Sequence, residues 1–101
     1  MKGVSVKLVL ICYNEAVDQE VLEVLNDLNV EGYTKWTKVL GKGKAGGPHL
    51  YNHIWPKANN VVATVVSEQA AAAILDRVRK MREKLGPEGV KAFMWEIEEV
   101  T

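Results

Sequence analysis

The chain has 101 residues, 48% hydrophobic and 26% charged, and its 13 Lys and Arg offset 13 Asp and Glu to a formal net charge of zero. That balance is ordinary globular material and excludes a disordered chain, while a lone cysteine, Cys12, excludes an internal disulfide framework. The length suits one domain, 1–101, because single cores usually serve chains of about 100 to 150 residues. The apolar run 8–13 falls short of the roughly 20 residues a bilayer span needs. No small-residue cleavage site follows it, so a cytoplasmic protein is expected.

The first predicted strand covers 4–13. Val4, Val6, Leu8, Leu10 and Cys12 alternate with Ser5, Lys7, Val9, Ile11 and Tyr13, so the strand begins half-polar and becomes apolar on both faces. A helix follows from 14–18, with Val17, Val21, Val24, Leu25 and Leu28 at helical spacing, and Glu31-Gly32 is expected to close it. Residues 33–40, rich in Thr, Trp, Tyr and Val, read as a second strand that runs into a glycine loop at about 41–60. A third strand is predicted at 61–66, after the Asn59-Asn60 pair. Ser67 then offers an N-cap with Glu68 in the first turn, and Ala71, Ile74, Leu75, Val78, Met81 and Leu85 continue at helical spacing. Lys80, Arg82 and Lys84 suit the far end of the helix dipole. Gly86-Pro87 stops that helix, and 90–97 forms a last strand with Phe93, Trp95 and Ile97 on one face.

The order βαββαβ predicts an α+β, ferredoxin-like fold, a four-stranded antiparallel sheet with two helices on one face. Whichever parity of the first strand faces the helices, the other face stays apolar, with either Leu8, Leu10 and Cys12 or Val9, Ile11 and Tyr13. A bare patch of that kind predicts association with copies of the same chain. A trimer is the simplest closed solution, although the residues argue for association rather than for a number.

Charge is segregated along the chain. No Asp or Glu occurs between Glu31 and Glu68, while Lys35, Lys38, Lys42, Lys44 and Lys57 do, so these five lysines leave a net charge of minus five elsewhere. A local positive field concentrates anions even at zero net charge. The centre of the stretch, Gly41-Lys42-Gly43-Lys44, can let backbone N–H groups converge on a phosphate with lysine supplying charge. It lacks the Gly-Lys-Ser/Thr of a nucleotide-binding P-loop, and the residues alone allow a solvated hairpin equally well. Lys35, Lys38 and above all Lys91 add charge if they face the same cleft.

The strand ending in Gly41-Lys42-Gly43-Lys44, the Trp55-Pro56-Lys57 before the third strand and the Glu88-Gly89-Val90-Lys91-Ala92-Phe93 leading into the last strand together resemble the PII family of signalling proteins. The resemblance covers nearly the whole chain. It implies a trimer, an adenine nucleotide (ATP, ADP or AMP) bound between subunits, and a loop, 44–60, that controls a target protein. It places ligand binding on Gly41, Lys42, Gly43, Lys44, Lys57, Gly89 and Lys91, and partner contact on His49, Tyr51 and Trp55. Lys44 and Ala45 stand where typical members carry arginine and glutamine, so the resemblance lacks the glutamine that helps hold magnesium and 2-oxoglutarate and leaves that sensing role open. The run Pro48-His49-x-x-x-His53-x-Trp55-Pro56-x-x-Asn59 is similar to shorter PII-like proteins found near heavy-metal efflux systems, which implies a membrane transporter or efflux protein as partner.

His49 and His53 are the only histidines and form the alternative site, for a divalent metal. The spacing brings both rings to one side only in a helix, which Pro48 and Pro56 disfavour, and Cys12 is the one further ligand candidate. Trp36 and Trp95 read as strand residues or subunit contacts, and Trp55 as the loop's anchor or contact. Nucleic-acid binding is not expected, given the neutral chain and no aromatic pairs on a basic face. Nor is an enzyme, since no carboxylate pair, Ser/His/Asp set or Cys/His pair has recognisable spacing.

Overall fold

The computed structural model describes residues 6–41, 58–86 and 89–101. Its strands are β1 (Val6–Asn14), β2 (Thr34–Val39), β3 (Asn59–Ser67) and β4 (Val90–Glu96), and its helices are α1 (Asp18–Asp27) and α2 (Glu68–Leu85). The sheet is antiparallel throughout, in the order β2-β3-β1-β4. This is the ferredoxin-like arrangement that the element order predicted. Among the described residues no helix is long and apolar enough to cross a membrane.

The structure settles the parity of β1. Val9, Ile11 and Tyr13 are buried and share one core with Val17, Val21 and Leu25 around α1 and Ala71, Ile74 and Val78 of α2, so both helices cover the same face. Leu8, Leu10 and Cys12 therefore lie on the other face. The register sets Val61, Ala63 and Val65 of β3 beside them on one side and Lys91, Phe93 and Trp95 of β4 on the other. Trp36 of β2, opposite Val61, extends the same surface. Trp36, Val65, Phe93 and Trp95 remain between 41% and 49% exposed, an unusually apolar surface for a lone chain. The Phe93 and Trp95 rings lie 6.2 Å apart between centroids.

Three boundaries differ from the sequence reading, each for a local reason. The chain leaves β1 through a 3-10 turn, Glu15–Val17, capped by Asn14, whose Oδ1 accepts from the Ala16 N–H at 2.9 Å. α1 stops at Asp27, well before Glu31-Gly32, because Asn29 adopts φ 60°. The Asn29 N–H then bonds the Asn26 carbonyl and the Val30 N–H reaches the Leu25 carbonyl at 2.9 Å, the paired bonds of a Schellman motif. Asparagine tolerates the left-handed region better than most residues, so Gly32 is not needed for the stop. Finally, Asn59 and Asn60 belong to β3 rather than to the preceding loop, since they pair with Asn14 and Tyr13 of β1.

The second helix follows its signals. Ser67 Oγ accepts from the Ala70 N–H at 3.1 Å, and Gly86, at φ 87°, donates its N–H to the Arg82 carbonyl at 2.8 Å. Its φ lies in the region that favours glycine, which explains why the helix ends there.

Candidate functional site

The C-terminal ends of β1 and β2 and the N-terminal ends of β3 and β4 all lie at one end of the sheet. Val39 pairs with Asn59, Asn59 with Asn14, and Tyr13 with Val90, so this last rung links all four strands. Two consecutive N–H groups secure it. Asn14 donates to the Gly89 carbonyl at 3.0 Å and Glu15 to the Ala58 carbonyl at 2.9 Å, tying the start of β4 and the approach to β3 to adjacent peptide units where the central strand ends.

Both described glycines of the predicted site are positions of close approach. A Cβ on Gly41 would lie 2.5 Å from Asn59 Nδ2, and one on Gly89 would lie 2.9 Å from the Leu85 Cβ. Asn59 can swing aside, but Leu85 is fixed by α2, so only glycine lets the end of that helix rest against the start of β4. A one-residue irregularity in β2 between Trp36 and Val39, with Lys38 at φ 57°, turns that strand just before Gly41.

Lys91 is one residue past this rung, exposed, and opposite Cys12 on the apolar face, with its Nζ 5.7 Å from the Phe93 ring centroid. Burial raises the Cys12 thiol above its ordinary pKa and Lys91 offsets part of that rise, so the thiol stays protonated at neutral pH. Gly41, Gly89 and Lys91 thus lie at the same end of the sheet, Gly41 after one edge strand and Gly89 and Lys91 at the start of the other. Lys42, Gly43, Lys44, His49, Tyr51, His53, Trp55 and Lys57 lie outside the described residues. Among the described residues no three His, Cys, Asp or Glu side chains cluster as a metal site.

Lys35 does not join that cleft. It faces the helices opposite buried Val62 and donates to Asp18 Oδ2 at 2.9 Å, so one of the five lysines is compensated after all. Asp18 Oδ1 also accepts from Tyr13 Oη at 2.6 Å and Asn60 Nδ2 at 3.1 Å. Burial pushes the Asp18 carboxyl up, but the hydrogen bonds from Tyr13, Lys35 and Asn60 outweigh it and hold the group below its ordinary value. Burial, followed by the bond to Asp18, raises the Tyr13 phenol far above its usual range. This network fixes the start of α1 to three strands and keeps the end of the sheet rigid.

Sequence reasoning missed Arg82 as more than a dipole partner. Its Nη1 donates to the Val90 carbonyl at 2.7 Å, beside Gly89 and Lys91. A surface depression of about 400 Å³ lies at the opposite end of the sheet, between 28–32 and 65–67. Its only lining side chain with charge is Glu31, which suits no anion.

Residues 6–101 match the family model described as nitrogen regulatory protein P-II. The chain belongs to that family. No curated protein sequence matches it. Among solved structures, a PII-like signalling protein from Thermus thermophilus is 28% identical over 93% of this chain and 88% of its own, with a TM-score of 0.67. CPII, a nitrogen regulatory PII-like protein from Thiomonas intermedia, was solved bound to ADP, AMP and bicarbonate. It is 20% identical over 96% of this chain and 94% of its own, at TM-score 0.74. A second CPII structure, bound to ADP and bicarbonate, is 22% identical over 92% and 86%, at TM-score 0.73. At those identities the CPII structures speak to the fold. The P-II family is one of regulatory proteins, which is the coarse function of this chain.

Proposed function

We propose that this P-II family member is a single-domain, cytoplasmic, homotrimeric regulator that binds an adenine nucleotide between subunits and controls a partner protein through the 44–60 loop. The observation that carries the reading is the placement of Gly41, Gly89 and Lys91 at the same end of a sheet whose open face is apolar. Glycines that bring backbone close, with a lysine whose charge is free of any ion pair among the described residues, suit a phosphate. The open face needs a cover, and a second copy is the simplest one. In sequence, Lys42, Gly43, Lys44 and Lys57 extend the same cationic set.

The ADP and AMP named for CPII support the choice of nucleotide, and its bicarbonate makes a small second anion worth including in the trial. A nucleotide bound at the loop base would shift the loop toward the shape its partner accepts. The similarity of the His49 to Trp55 run to proteins near efflux systems extends the proposal to a membrane transporter as that partner.

Calorimetry with ATP, ADP and AMP on wild type and Lys91→Ala, alongside sedimentation, tests both halves. Binding that weakens in the variant, with a particle of about three times the 11.2 kDa chain, is expected. An 11.2 kDa particle that takes up no nucleotide at millimolar concentration refutes the proposal.

A further inference from the structure

Arg82 holds the junction between α2 and β4 from both sides. Its carbonyl accepts the Gly86 N–H at 2.8 Å where the helix ends, and its guanidinium donates to the Val90 carbonyl at 2.7 Å where the strand begins. Within that clasp Gly89 donates to the Gly86 carbonyl at 3.3 Å, and its Cα packs on Leu85.

The bond to Val90 is not what an edge strand requires. Because the Asn14 N–H bonds the Gly89 carbonyl, antiparallel alternation turns the Val90 carbonyl away from β1, toward the outer edge of β4. Ala92 and Met94 share that orientation, yet among the described residues no side chain is bonded to their carbonyls, and water serves such an edge well enough. An arginine that gives up rotamer freedom to bond one carbonyl in the row acts at a chosen place. That place is the residue before Lys91, in the backbone that also carries Gly89.

We propose that Arg82 is a positioning residue for anion binding, fixing the backbone of 89–90 so that the Lys91 ammonium meets the phosphate at a set distance. This rests on the nucleotide reading above. Arg82 itself does not touch the ligand, so its effect should pass through Lys91.

The test is calorimetric titration of ADP and adenosine into wild type, Arg82→Met, Arg82→Lys, Lys91→Ala and the Arg82→Met/Lys91→Ala double variant, with circular dichroism confirming each fold. Arg82→Met keeps the aliphatic stem, so lost packing does not imitate lost positioning. Arg82→Met should weaken ADP about tenfold and leave adenosine unchanged, while in the Lys91→Ala background the same change should cost less than about twofold. Arg82→Lys, which retains a donor, should recover most of the loss. An equal loss in both backgrounds would make Arg82 an independent charge and overturn the inference. So would an equal loss for ADP and adenosine, or no loss at all. A wild type that ignores ADP overturns the nucleotide reading itself, which separates the two failures.

Discussion

Asp18→Ala tests whether the polar network at the head of α1 holds the end of the sheet together. Tyr13 is 2% exposed and Asn60 4% exposed, and Asp18 is the acceptor for both. Asn60 Oδ1 already lacks a partner among the described residues, so losing Asp18 strands the whole carboxamide. Stranding a buried donor costs about 1 to 3 kcal/mol each. The partly exposed Lys35 pair adds no more than about 1 kcal/mol. Taking the lower half of each range, because water can reach the partly open Asp18 site, gives a loss of about 3 kcal/mol. Urea unfolding at fixed chain concentration should show the midpoint fall by about 2 M, for a slope near 1.5 kcal/mol/M. Asp18→Asn keeps an acceptor for Tyr13 and should lose about half as much. The acid limb gives an independent check. A carboxyl held below its ordinary value of 3.8 contributes stability that is complete above that value and lost as pH falls through the lower, folded-state one. The gap between wild type and Asp18→Asn should therefore stay constant from about pH 5 to 8 and close below about pH 4. A loss under about 1 kcal/mol for Asp18→Ala, or a gap unchanged at pH 3, would refute the reasoning.

Asn29→Val, which forces a β-branched residue into φ 60°, should cost about 1 to 2 kcal/mol in thermal unfolding, and Asn29→Gly should stay within about 0.5. Leu10→Glu puts a charge in the middle of the open sheet face and should shift sedimentation toward the 11.2 kDa chain, with circular dichroism unchanged. Gly89→Val drives a methyl-bearing carbon into Leu85, where even a Cβ has 2.9 Å, and should cost about 1 to 3 kcal/mol by parting α2 from β4. A Gly89→Val variant as stable as wild type would show that the junction opens freely.

Local signals carried most of the fold. β-branched alternation in β1 and β3, the Ser67 cap and the Gly86 stop each act within a few residues, so the elements can be read directly. The misses fall where a distant partner or an alternative local solution decides. Gly32 looked like the end of α1, but Asn29 reaches the left-handed region three residues sooner. Asn59-Asn60 looked like the end of the loop, but pairing with β1 draws both into the strand. Lys35 looked like part of a cationic cleft, and only the packing of α1 over the sheet brings Asp18, 17 residues away in sequence, to within 2.9 Å of it. The irregularity at Lys38 has no sequence mark, because lysine does not advertise a positive φ.

The candidate site was legible in its residue types and not in its completeness. Gly41 and Gly89 lie 48 positions apart, yet the sheet order β2-β3-β1-β4 with antiparallel register brings the end of β2 and the start of β4 to the same end of the sheet, separated by the ends of two strands. Lys91 meanwhile leans over Phe93 on the open face, away from the helix-covered core. Groups spread along a rung rather than around a hollow make a wall, and a wall encloses a ligand only when something stands opposite. The surface continuous with Lys91 is the apolar one, so if a second copy covers it, as proposed, the covering of Trp36, Phe93 and Trp95 and the closing of an anion pocket become one event. On that proposal ligand affinity and association would be thermodynamically linked, each strengthening the other by the same factor.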